Sequence, residues 1–194
     1  MHVFIVYAHP SEDSFTRHAR DKFVEGLAAA GHTWEFSDLY RMDFRTDMSE
    51  AEYLRDANYR DYPPVADDVR EEQRKINACD ALVFIYPVFW TEAPARLVGW
   101  FDRVWTYGFA YGERSMKRLD KALCLCSAGK SPEDLEQCGE LAAMRSVMLG
   151  DRIADRAAVK EMIIFGSTAK KNMQDREANW DKNLATAYRA GLEL

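Results

Sequence analysis

The 194-residue chain contains no apolar run approaching the roughly 18 to 20 residues that a bilayer-crossing helix requires. Its richest stretch, Ala81 to Trp90, is soon followed by Glu92 and Arg96, so no membrane span is expected. An excess of basic residues is also missing: 26 Lys and Arg stand against 32 Asp and Glu, giving a formal net charge of −6 with the signs interspersed. Nucleic acid is thereby disfavoured as the main partner, because neutralising phosphates takes a concentrated basic face. The N-terminus carries neither a basic leader nor a small-residue cleavage site, and the expectation is a cytoplasmic protein. Cysteine is sparse: Cys79, Cys124, Cys126 and Cys138 make no CxxC pair, and a domain of this size can build a core without disulfide staples. Cys124 and Cys126 lie two apart in an apolar run, on one face of a strand, and are expected to pack in the core. No further ligand-type residues stand near them, so no metal site is expected.

What is present is an alternation of short apolar runs and amphipathic stretches. Val3 to Tyr7 is continuous, apolar and rich in β-branched and aromatic residues, as a strand buried on both faces would be. After the polar loop Ala8 to Ser14, apolar residues recur at helical spacing (Phe15, Ala19, Phe23, Leu27) until Gly31, a helix stop. Trp34 to Tyr40 reads as a second strand. Arg41 to Val65 reads as an irregular connection with one short helix, long enough to suggest a functional or interface-forming role. Val69 to Asn77 is weakly helical and leads into Ala81 to Tyr86, the clearest buried strand. Pro94 is placed as a first helical residue, followed by the face Leu97, Trp100, Phe101, Val104 and Trp105. Ala122 to Ser127 reads as the fourth strand, Leu135 to Leu149 as a helix, Val159 to Phe165 as the fifth strand, and Glu177 to Leu192 as a closing helix.

Five strands alternating with helices in one domain, residues 1–194, imply a doubly wound α/β fold: a five-stranded parallel sheet with helices on both faces. Ligands of such sheets bind at the carboxyl ends of the strands, near the point where the winding reverses. That directs attention to three loops: His9 to Ser14, Pro87 to Pro94, and Ser127 to Asp134.

The first strand is followed by no G-x-G-x-x-G, which disfavours a dinucleotide-type site on that loop. Gly129-Lys130-Ser131 resembles the tail of a phosphate loop, but Cys124 stands where that motif requires glycine. The first loop offers Ser11, Ser14 and Thr16 hydroxyls beside His9 at a helix N-terminus, which suits a phosphate held without metal; simple helix capping by Asp13 or Ser14 is the alternative. The second loop sets Phe89 and Trp90 in an irregular turn, fitting either a shelf for a planar heterocycle or a plug for the sheet end. The third, Ser127-Ala128-Gly129-Lys130-Ser131, is small enough for backbone to approach a ligand closely. A flavin mononucleotide unit matches all three.

The segments VFIVYAHPSEDSFT (3–16), SDLYRMDF (37–44), PVFWTEAP (87–94), GWFDRV (99–104) and FAYG (109–112) resemble the flavodoxin-like NAD(P)H:quinone oxidoreductases, including DT-diaphorase and its shorter bacterial relatives. The resemblance runs from about Met1 to Lys130. It implies a flavin-dependent reductase, with FAD ahead of FMN, that takes hydride from NADH or NADPH and passes two electrons in ping-pong fashion to a quinone or similar planar acceptor. His9, Ser14, Phe15 and Thr16 fall on the family's flavin phosphate loop, and Pro87, Val88, Phe89, Trp90 and Thr91 on its flavin-ring segment. Ser127, Ala128, Gly129 and Lys130 fall on its third flavin loop. Tyr111 matches a tyrosine that reaches the neighbouring subunit's substrate pocket, which implies a homodimer and makes Tyr111 the candidate catalytic residue. No histidine follows His32, so the family's histidine-assisted relay does not carry over, and Glu113 stands where a second pocket tyrosine can occur. Asp102 and Arg103 are read as structural. Two alternatives remain within the resemblance: a redox-sensing regulatory subunit of a cation-efflux system, and a flavodoxin-type one-electron carrier.

Overall fold

The computed structural model describes residues 1–169 and 173–194. Five strands, β1 (His2–Tyr7), β2 (Thr33–Asp38), β3 (Ala81–Pro87), β4 (Leu119–Ser127) and β5 (Ala157–Phe165), form one all-parallel sheet in the order β2-β1-β3-β4-β5. The helices are α1 (Phe15–Ala29), α2 (Glu50–Ala57), α3 (Asp67–Ala78), α4 (Ala95–Val104), α5 (Pro132–Gln137), α6 (Glu140–Arg145) and α7 (Met173–Leu192), with a π-helical segment at Ser146–Ile153. This is the doubly wound arrangement expected from the alternation of strands and helices.

The two-residue periodicity of the strands divides the core. Phe4 and Val6 of β1, Leu82, Phe84 and Tyr86 of β3, and Ala122, Cys124 and Cys126 of β4 face one layer, where Leu97, Trp100, Phe101 and Val104 of α4 meet them. Val3, Ile5, Ala81, Val83, Ile85, Leu123 and Leu125 face the other, against Phe15, Ala19, Phe23 and Leu27 of α1 and Ala187 of α7. Each fully buried side chain of this kind contributes about 1.5–3 kcal/mol. The shared strand face of Cys124 and Cys126 is thus a packing face, and Trp100 and Phe101 belong to the same core. Helices α1 and α7 pack backbone against backbone, because Cβ atoms on Gly26 and Gly191 would overlap the carbonyl oxygens of Tyr188 and Phe23 respectively.

Several boundaries differ from the sequence expectations. The helix expected over Leu135 to Leu149 is broken into α5, α6 and the π-helical segment. Gly139 at φ 78° interrupts it, and Ser131 starts α5 as a cap accepting from Asp134 N–H. The buried stripe survives the break, since Leu135, Leu141, Met144 and Met148 are all in the core. Strand β2 stops at Asp38 rather than Tyr40, where the Asp38 carboxylate accepts from Arg41 N–H and turns the chain. Pro94 is the residue preceding α4, not its first member.

The long connection carries the expected short helix, α2, and is held by charge. The Arg103 guanidinium, fully buried, bonds Glu52 at 2.8 Å, Asp68 at 2.5 Å and the Arg45 carbonyl at 2.8 Å. Its structural reading therefore holds.

Candidate functional site

The sheet continues its hydrogen bonding past the strand ends and so sets the three loops side by side. Ala8 N–H donates to the Ile85 carbonyl at 3.0 Å, Val88 N–H to the Ser127 carbonyl at 2.8 Å, and Ala128 N–H to the Phe165 carbonyl at 2.9 Å. A buried 2.7 Å hydrogen bond between Thr16 Oγ1 and Ser127 Oγ ties the first turn of α1 to the end of β4.

Two cavities open at this edge. The larger, about 560 Å³, takes His9, Ser14, Phe15 and Thr16 from the first loop, Pro87, Val88 and Phe89 from the second, and Ser127 and Gly129 from the third. The second, about 350 Å³, shares Val88 and Gly129 and adds Trp90, Thr91, Ala128 and Lys130. Every residue that the resemblance places on the three flavin loops therefore lines one cavity or the other, whereas Ser11 lines neither. Tyr111 lines neither. It packs beside Tyr107, ring centroids 5.9 Å apart, and burial, with Asp56 nearby, raises its phenol above the usual range.

At the phosphate-like end Ser14 does cap α1, its hydroxyl accepting from Arg17 N–H at 3.1 Å. The N–H groups of Phe15 and Thr16, in the first helical turn, have no intrahelical acceptor. Capping and anion binding are therefore compatible at one residue. Burial lowers the His9 imidazole below its ordinary value, and its Nδ1 lies 2.9 Å from Ser11 N and O.

The second loop is a tight two-residue turn. Phe89 and Glu92 exchange backbone hydrogen bonds of 2.8 and 2.9 Å, and Trp90 and Thr91 between them both have left-handed φ, 51° and 68°. Trp90 is completely exposed. In the third loop Lys130 bonds Glu140 at 2.5 Å, which raises the lysine and lowers the carboxyl.

Sequence reasoning missed the contribution of α7. Arg176 and Trp180 line the larger cavity with Thr168 and Ala169, the Arg176 guanidinium 4.5 Å from the Trp180 ring centroid. Arg176 Nε is buried with no hydrogen-bond partner among the described residues. No spacing rule links this helix to loops so far away in the chain; the packing of α7 on α1 brings them together.

A buried guanidinium Nε with no hydrogen-bond partner among the described residues, hydroxyls and amides at a helix start, and a glycine where a Cβ would stand only 3.2 Å from Ala169 Cβ together suit an anionic ligand with a flat part. A flavin nucleotide fits that donor set.

Comparison with known proteins agrees with this geometry. The profile of a family described by its flavodoxin-like fold matches residues 1–152. An NAD(P)H:quinone oxidoreductase from Methanothermobacter marburgensis is 47% identical, with a TM-score of 0.93 over 99% of this chain and 96% of that one. The ribosyldihydronicotinamide dehydrogenase [quinone] of Rattus norvegicus is 38% identical over 56% of this chain and 53% of its own. An NAD(P)H oxidoreductase of Escherichia coli, YcaK, is 30% identical over 71% and 69% respectively. The chain spans about half the length of the first curated relatives that it matches.

Proposed function

The chain belongs to the flavodoxin-like family that these oxidoreductases share, and on that premise we propose that it is a flavin-dependent NAD(P)H:quinone oxidoreductase. The observation that carries the reading is the convergence of three strand-end loops on adjoining cavities, one end suited to phosphate and the other walled by aromatic residues and close-approaching backbone. A bound flavin would supply the two-electron chemistry, hydride acceptance from NADH or NADPH and its transfer to a quinone or similar planar acceptor.

The chain's own residues supply position and electrostatics. Ser14, Thr16 and the amides of Phe15 and Thr16 would hold the first phosphate, with the His9 imidazole beside them. Pro87, Val88, Phe89, Trp90 and Thr91 would bound the ring, and of the third loop, Ser127, Ala128, Gly129 and Lys130, the Gly129 and Lys130 amides would serve as backbone donors to its polar edge, since Ala128 N–H is taken by the Phe165 carbonyl. Arg176 and Trp180 add a cation and an aromatic face beyond the first phosphate, which supports FAD over FMN. Tyr111, being remote from the cavities of its own chain, acts on the cavity of a second copy, and the working unit is a cytoplasmic homodimer of single-domain chains.

The test is reconstitution with FAD and with FMN, followed by flavin fluorescence. FAD is expected to bind more tightly, and Arg176→Ala to weaken FAD by roughly 10- to 100-fold, the worth of a charge-assisted hydrogen bond, while affecting FMN less. Trp90→Ala or Gly129→Val retaining normal flavin content would remove the site assignment, and failure to bind either flavin would remove the reading.

A further inference from the structure

The turn that separates the two cavities is held in a conformation its residues do not favour. Two-residue turns with left-handed φ at both central positions normally use Asn, Asp or Gly, yet here they are Trp90 and Thr91, the second β-branched. Such backbone is strained for a residue with a Cβ and persists only where its surroundings over-determine it. Side-chain burial is not what does so, because Trp90 is 100% exposed and Phe89 45%.

The restraint comes from Glu92, the last residue of the turn. Its Oε1 accepts from Ala93 N–H at 2.7 Å and from Arg152 Nη1 at 2.9 Å. Arg152 is itself fixed: its guanidinium lies 5.0 Å from the Phe101 ring centroid, and its carbonyl accepts from Trp105 Nε1 at 2.6 Å. It belongs to the π-helical segment Ser146–Ile153, an element found mostly as an interruption of α-helices and often near functional sites. Arg152 lines neither cavity.

We propose that Arg152 is a positioning residue for the planar-ligand site: through Glu92 it latches the Trp90–Thr91 turn to the π-helical segment and so fixes the wall between the two cavities. The latch rests on the oxidoreductase reading for its ligand, a flavin, but not for its existence. With the ion pair in place, the backbone that meets the flavin ring is held ready before the ligand arrives, and less ordering cost falls on binding.

Two measurements test this. The first is amide hydrogen exchange in the flavin-free protein, following the Phe89 and Glu92 amides that close the turn against those of β3. Arg152→Met is expected to speed exchange at the turn by about tenfold, the scale of one charge-assisted hydrogen bond, with β3 unchanged and Arg152→Lys intermediate. The second is the FAD dissociation constant of the same variants, which should rise with turn exchange, by about 5- to 20-fold for Arg152→Met and less for Arg152→Lys. Unchanged turn exchange in Arg152→Met overturns the latch. Faster exchange throughout β3 does so too, since it marks general destabilisation. Faster turn exchange with unaltered FAD affinity overturns the positioning role. A wild-type protein that binds no flavin would bring down the functional reading and the role toward flavin together, while the exchange result would still decide the latch.

Discussion

Thr16 and Ser127 stand 111 positions apart in the chain and share a buried 2.7 Å hydrogen bond between their hydroxyls. The bond joins the first turn of α1 to the end of β4 in the lining of the larger cavity. Ser127→Ala should leave the Thr16 hydroxyl buried without this partner and cost about 1–3 kcal/mol of stability, with weaker flavin binding. Adding Thr16→Val should recover part of the stability, because replacing both partners of a buried bond costs less than orphaning one. Urea denaturation of the single and double variants checks both outcomes.

The backbone contact of α1 with α7 gives a second prediction. Gly191→Ala places a methyl group against the Phe23 carbonyl, where only backbone could yield. The expected cost is about 1–3 kcal/mol or more. Because α7 carries Arg176 and Trp180, flavin affinity should fall with stability, FAD more than FMN. Thermal unfolding with and without each flavin measures this.

The helix alternation, both packing faces and the meeting of three strand-end loops were legible because buried parallel strands read as continuous apolar runs and helices as 3.6-residue stripes. The break at Gly139 was not, since Leu135, Leu141, Met144 and Met148 keep their core-facing spacing across it, and hydropathy does not register a left-handed glycine. Arg176 escaped notice for a different reason. A lone arginine on a charged, exposed helix looks like solubility until Ala128 N–H and Thr168 Oγ1, bonded to the Phe165 and Ala128 carbonyls, bring the chain after β5 back to the third loop. The turn carrying Trp90 at the sheet edge was legible, whereas the ion pair from Glu92 to Arg152, far along the chain, was not.

Acid should act through Glu52. Burial pushes its carboxyl up, but bonds from Arg45, Ser49 and Arg103 outweigh this and hold it at about 2, against an ordinary 4.5. A carboxyl lowered in the folded state contributes stability that is complete above its unfolded value and is lost as pH falls through the folded one. Stability should therefore decline between about pH 4.5 and pH 2, and Glu52→Gln should flatten that decline while lowering stability at pH 7. Denaturant midpoints measured across this range give the answer.

A further prediction concerns Glu72, which is wholly buried and bonds Ser37 Oγ at 2.7 Å, Lys75 Nζ at 2.8 Å and Trp100 Nε1 at 2.8 Å. Glu72→Ala leaves Lys75 buried without its counter-charge, and a loss of about 3–5 kcal/mol is expected. Glu72→Gln, which keeps an acceptor, should cost less. Equilibrium unfolding in guanidinium distinguishes the two variants.

The most direct test of the central claim is the visible absorption spectrum of the flavin-loaded protein under anaerobic conditions, followed through addition of NADH or NADPH and then menadione. The account predicts flavin bands that bleach with one or both nucleotides and return on adding the quinone. Bound flavin that neither nucleotide bleaches would contradict the reductase assignment and favour a one-electron carrier or a redox sensor.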